Sequence, residues 1–167
     1  MQEITMSIQT LLLKLIAFKA WANKDLFPLV QSLLEASQAQ ERHNATRVLN
    51  HIYVVDKIFQ GNLQRQPHGY SGLNTPETPA VADLFKAQQA ADLWLQTYVA
   101  GLGDAELAEE VSFTFVDGKA GRMTRAEMLM HLITHGGYHR GAVGRILLQA
   151  GVQPPPETLT TFMHRAL

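Results

Sequence analysis

The stretch Leu132–Gly141, LITHGGYHRG, sets His135 and His139 four residues apart among three glycines. Imidazoles at that spacing share one face of a helix. Their Cβ atoms stand roughly 5–6 Å apart, so each ring can bring one nitrogen to an ion about 2.0–2.1 Å away. His131 lies four residues earlier and extends the row to H-x3-H-x3-H. The outer two are roughly 12 Å apart along a helix axis, so one ion takes either the 131/135 pair or the 135/139 pair. A third imidazole is available at His51, in a segment where Asn44, Val48, Val55 and Ile58 share its helical face. Three imidazoles from two helices leave a coordination position open, as catalytic metal sites do and closed structural sites do not. A plainer reading fits the same spacing: core histidines on an amphipathic helix, their ring nitrogens hydrogen-bonded.

The remaining chemistry is narrow. The 167 residues include no cysteine, which removes thiolate ligands, disulfides and a cysteine nucleophile. There is no phosphate-cradling glycine loop, dinucleotide fingerprint or Ser-His-Asp order. The paired Glu-x-x-His motifs of di-iron bundles are also missing, so one metal ion is the economical expectation. Fourteen basic and 15 acidic side chains give a formal charge of −1, with no electrostatic footprint for nucleic acid. Lys14 and Lys19 interrupt the apolar opening segment on a helical period, so it resembles neither a signal peptide nor a membrane span, and a cytoplasmic protein is expected.

The histidines must be positioned by helices. Leu12, Leu15, Ile16, Trp21, Leu26, Leu29 and Leu33 recur at three and four, predicting a first helix over 6–34 that Pro28 kinks or divides. Ser37-x-x-Gln40 reads as a capping box opening a second helix that runs to Leu63. A Pro- and Gly-rich connection follows. Thr78-Pro79 then reads as the start of a third helix, which ends near Gly101. Val111, Phe113 and Phe115 alternate with polar residues ahead of Asp117-Gly118, predicting a small β-hairpin. Thr124-x-x-Glu127 is a capping box for a fourth helix over 125–150, stopped by Gly151, and the tail ETLTTFMHRAL can add a short one. The expected architecture is one all-α domain over residues 1–167, a four-helix bundle with a hairpin between helices three and four. On the fourth helix His139 falls about 40° from His135, beside Met128, Leu132 and Ile146, so both imidazoles lie in the core-facing stripe.

Four segments in chain order resemble the DinB/YfiT-like family, whose members are read as metal-dependent enzymes: FKAWANKDL, RVLNHIYVVDKIF, MTRAEMLMHLITHGGYHRGAVGRIL and QAGVQPPP. The resemblance implies a four-helix bundle, usually a homodimer, with a divalent metal held by three histidines. One comes from helix two and two from the H-x3-H before Arg-Gly, which on this sequence are His51, His135 and His139. His131 matches a position that the family often fills with histidine without using it as a ligand, and is expected to be a satisfied core residue or one that supports the metal ligands from behind. Zinc or nickel are the first expectations for the ion and iron or manganese the next, since three imidazoles do not choose among them. The resemblance further implies a small-molecule substrate such as a low-molecular-weight thiol, in thiol-S-transferase-like chemistry or metal-assisted hydrolysis. The alternative is a non-catalytic metal- or ligand-carrying bundle of the stress response.

Other residues have plainer expectations. Gly137, Gly141 and Gly144 form a small-residue stripe away from the histidines, suited to a neighbouring helix or a second subunit. Arg140 is expected either to pair with a carboxylate such as Asp25 or Asp56 or to reach solvent. Glu127 is explained by its capping box, Phe18, Trp21 and Tyr53 by the core, and His43, His68 and His164 by the surface. Asn50 is placed to orient a neighbour of His51.

Overall fold

The computed structural model describes residues 6–164. Four long helices build the bundle: α1 (Ile8–Ser32), α2 (Ala39–Leu63), α3 (Val81–Ala100) and, after a short α4 (Asp104–Leu107) and the strands β1 (Glu110–Thr114) and β2 (Ala120–Thr124), α5 (Arg125–Gln149). A short α6 (Leu159–Met163) closes the described chain. α2 packs on α5 and α1 on α3, with α1–α5 and α2–α3 contacts closing the square. None of the described helices is long and apolar enough to cross a membrane.

Local signals explain most boundaries. The Ser7 hydroxyl accepts from the Thr10 amide to open α1. The capping box at α5 forms as expected: Thr124 Oγ1 accepts from the Glu127 amide at 3.2 Å, and Glu127 Oε2 accepts from the Thr124 amide at 2.7 Å. β1 and β2 pair antiparallel, Glu110 opposite Thr124, around a turn in which Gly118 takes φ 86°. Gly151, at φ 77°, ends α5 in the left-handed region that glycine tolerates.

Two boundary expectations are corrected, and of the two outcomes expected at Pro28 the division is excluded. α1 runs through Pro28 as one helix. Proline frees the carbonyl of Lys24, but Lys24 and Pro28 are both exposed, so water can take over the lost bond. The Ser37–Gln40 box does not form; the helix begins after Gln38, whose side chain accepts from the Leu34 amide and donates to the Ala150 carbonyl. That residue joins the ends of α1 and α5 instead of capping its own helix. α3 starts at Val81, two residues after Pro79, because burial of Val81 and Leu84 fixes its register more strongly than the Thr78 side chain would. The single turn of α4, which drives Leu107 into the core, has no signal long enough to be read from the sequence.

The core consists of two apolar clusters. One gathers Leu12, Ile16, Ile58, Leu95, Val99, Met128 and Leu132, and the other Leu26, Val30, Leu49, Leu84, Val143 and Leu147. On α1, α3 and α5 the chain passes from one cluster to the other through polar residues, Lys19 and Asn23, Gln88 and Asp92, and Arg140, and on α2 Asp56 lies within the first cluster between Val55 and Ile58. These six are each at most 4 % exposed. They form a charged layer across the middle of the bundle, and His135 and His139 sit on α5 at its level, between Ile133 of one cluster and Val143 of the other.

Candidate metal centre

The packing of α2 on α5 brings together the three histidines that the sequence singles out. His51, His135 and His139 each offer one nitrogen, and these atoms all lie within 4.8 Å of one another. His51 Nε2 and His135 Nε2 are 3.0 Å apart. The ring centroids of His139 lie 4.5 Å from those of both His51 and His135. Two ligands about 2.1 Å from one tetrahedral ion are separated by roughly 3.4 Å, so small side-chain adjustments would place all three nitrogens on one ion.

The donor chemistry fits a cation. His51 Nδ1 lies 2.8 Å from the Leu73 carbonyl oxygen, which can only accept. Nδ1 therefore carries the proton and Nε2 presents its lone pair towards His135. Burial, reinforced by His139, His51, His131 and Lys19, pushes the His135 pKa down to about 3, and burial with His51 also lowers that of His139. Both rings are then neutral at pH 7, the form that ligates. His135 Nδ1 is buried with no protein hydrogen bond.

A pH dependence follows for the metal-free protein. A histidine whose folded pKa is depressed binds fewer protons folded than unfolded over the interval between the two values. Stability is thus fully present above about pH 6.5, the ordinary histidine value, and declines as the pH falls towards about 3. Thermal melts of the metal-free protein should fall between pH 7.5 and pH 5, and His135→Phe should flatten that slope. An unchanged slope in the variant would remove His135 as its source.

His131 stands outside the triad. Its ring stacks on Phe59 with centroids 4.8 Å apart, and its pKa is lowered by burial, with Asp56 opposing. Among the described residues its ring makes no hydrogen bond, so it is held by packing rather than by satisfied polar contacts.

The mouth of the triad is an open pocket of ≈ 320 Å³ lined by Arg47, Val48, His51, Asn74 and His139. One face of α2 pins its rim. Arg47 donates to the Thr75 carbonyl at 2.8 Å, and buried Asn50 donates to Asn74 Oδ1 and Thr75 Oγ1 at 2.7 and 2.8 Å. Together with the bond to Leu73, residues 73–75 are tied down by three side chains of α2. Asn50 thus orients this loop, which in turn orients His51.

Next to the triad lies the charged layer, whose connections sequence reasoning missed. Lys19 Nζ donates to Asp56 at 2.6 Å and to Asp92 at 2.8 Å, and Gln88 donates to both carboxylates. Asn23 donates to Asp92 and accepts from Arg140. Burial alone would pull the Lys19 ammonium down, but the two carboxylates outweigh it and hold its pKa above the ordinary value. The signal was present in the period: Lys19 and Asn23 continue the Leu12–Ile16 stripe, and only their polarity argued against burial.

Arg140 corrects another expectation. It pairs neither with Asp25 nor with Asp56 and does not reach solvent; its side chain is fully buried against Glu157, with both Nε and Nη2 donating to that carboxylate. Gly136 makes room for it: a Cβ there would stand 2.8 Å from Arg140 Nη1 and 3.5 Å from Lys19 Cε. In the expected small-residue stripe, Gly144 meets Pro154 of the same chain, while a Cβ at Gly141 would meet open space. Of the histidines set aside as surface residues, His43 and His164 are exposed, but His68 is half-buried and accepts from the Tyr70 amide. Phe18 and Trp21 pack with Phe162 of α6.

A sequence model of the DinB family matches residues 6–166. The chain belongs to the DinB family. It is similar to Protein DinB of Bacillus subtilis (strain 168), with 28% identity over 158 residues that cover 86% of this chain and 88% of that protein. Family membership agrees with the helical bundle and its hairpin, and in this DinB-family chain the bundle carries a three-histidine cluster able to hold a metal ion.

Proposed function

We propose that this DinB-family chain is a mononuclear metal-dependent enzyme acting on a small molecule, with His51, His135 and His139 as the ligands. One observation carries the reading: three imidazole nitrogens within 4.8 Å of one another, beside an open pocket. Zinc or nickel is the favoured ion, with iron or manganese next. When bound, such an ion lowers the pKa of water or a thiol in its open position. The chain's own residues supply the rest. The Leu73 carbonyl holds the His51 proton on Nδ1, and the rim residues Arg47 and Asn74 offer hydrogen-bond donors to an entering molecule. With no cysteine in the sequence, the thiol of a thiol-S-transferase-like reaction would come from a co-substrate. Metal-assisted hydrolysis is the next reaction class.

The supporting experiment reloads metal-free protein with zinc, nickel, manganese or iron and assays conjugation of a low-molecular-weight thiol to an electrophile. Activity should appear with one metal and vanish in His135→Ala. Activity indifferent to that substitution would remove the proposal.

A second reading is favoured by the composition of the mouth. Among the described residues neither a carboxylate nor a tyrosine lines it, which suits a non-catalytic metal- or ligand-carrying bundle of the stress response. Tight metal binding without turnover in the same assay would select it. Under either reading we infer a cytoplasmic homodimer. Exposed Tyr138 and Leu148 and the open Gly141, all on α5, would suit its interface.

A further inference from the structure

The pocket beside the triad contains one permanent charge, which no carboxylate among the described residues pairs with. Arg47 sits one helical turn before His51 on α2 and lines the same pocket. A guanidinium has five N–H donors in a planar fork. Among the described residues the structure gives Arg47 one bond, from Nη1 to the Thr75 carbonyl, and no ion pair. The contrast with Arg140 is instructive: that guanidinium, fully buried, is engaged by both oxygens of Glu157. The pocket walls offer Arg47 no such partner, because their other residues are Val48, His51, Asn74 and His139.

Asn74 adds a second donor. Its Oδ1 accepts from Asn50, which leaves its NH2 group without a bond to any described residue, and Asn74 is among the residues that line the pocket. Arg47 and Asn74 are both fixed to the same loop, Arg47 through the Thr75 carbonyl and Asn74 through buried Asn50. The two donor groups are therefore preorganised rather than free to collapse into water. A planar guanidinium and an amide NH2, both on residues that line the open pocket, match a carboxylate, which accepts in fork geometry.

We propose that the substrate of this site carries a carboxylate bound by Arg47 and Asn74, with the remainder of the molecule extending towards His51 and His139. This names a substrate class for the metal centre proposed above and rests on that reading, but recognition by Arg47 does not itself require the ion. A thiol or ester bearing a carboxylate would be selected over its neutral analogue.

The test uses the full-length protein with succinate and its neutral counterpart succinamide as probes. In the metal-free protein, succinate should shift the NMR signals of the Arg47 Nε–H and the Asn74 side-chain amide, and succinamide should not. With zinc added, succinate should bind at least about tenfold more tightly than in the metal-free protein, because its second carboxylate meets the ion. Arg47→Ala should abolish the succinate preference of the metal-free protein, while zinc affinity falls by less than the about tenfold expected when the whole loop is released, because Asn50 still holds Asn74 and Thr75. Arg47→Lys, which keeps the charge without the fork, should fall between. Equal responses to the two probes in the metal-free protein, or a succinate preference that survives Arg47→Ala, would overturn the proposal. Failure of zinc to bind, with the metal-free preference intact, would instead overturn the metal centre and leave Arg47 as a carboxylate site.

Discussion

Lys19→Met is expected to lower the unfolding free energy of the metal-free protein by about 3–5 kcal/mol, the cost of removing one partner from a buried ion pair. Lys19 is fully buried and is the only cation bonded to both Asp56 and Asp92 among the described residues. Without it, two carboxylates at most 4 % exposed must share the centre of the bundle, with Gln88 and Asn23 as their remaining donors. One of them would take up a proton, so the loss should grow as the pH rises from 5 to 8. Urea unfolding followed by circular dichroism measures both the size and the pH slope. The cost belongs to the unpaired charges and not to the missing side chain. Adding Asp56→Leu and Asp92→Leu to Lys19→Met should therefore recover much of the loss, since apolar replacement of a whole buried network is often neutral. A loss under about 1 kcal/mol in the single variant would place Lys19 in the class of solvated surface pairs and refute the buried layer.

The layer shows where sequence reasoning stops. Lys19, Asp56 and Asp92 are separated by 37 and 73 residues from their partners, and neither the length nor the polarity of a lone lysine on an apolar stripe says whether its ammonium turns inward or out to water. Arg140 and Glu157 meet because the chain reverses at Gly151 and passes three prolines, a geometry no local pattern encodes. By contrast the Thr124–Glu127 box and the Asp117-Gly118 turn were legible because both partners lie within a few residues. The Ser37 and Thr78 signals were equally local yet failed, since burial of Val81 and the link from Gln38 to Ala150 determined the helix starts from outside. The histidines were legible for a mixed reason. The spacing of His135 and His139 is local and His51 was offered by its place on an apolar helical face, whereas the choice of the 135/139 pair over 131/135 came from the family resemblance.

That choice yields the second large effect. His51→Ala, His135→Ala and His139→Ala should each weaken binding of zinc or nickel by at least about 100-fold, more than the 10–100-fold typical for residues that only orient a ligand. His131→Ala should change it by less than about threefold, because its ring is stacked on Phe59 and lies outside the cluster of converging nitrogens. Between the two classes stands Asn50→Ala. It releases Asn74 and Thr75 and loosens the segment whose Leu73 carbonyl orients His51, so a loss of about tenfold is expected. Competition with a chelator of known affinity ranks the series in one set of titrations. A large loss at His131 with little change at His139 would mean that the ion sits one turn nearer the start of α5.

The most direct measurement of the central claim is X-ray absorption at the metal edge of the wild-type protein loaded with one equivalent of zinc. The account predicts one ion per chain with three imidazole nitrogens at about 2.0–2.1 Å, the multiple-scattering signature of their rings, and at least one further light atom. A first shell with fewer than three imidazoles, or one built from oxygen alone, would contradict it.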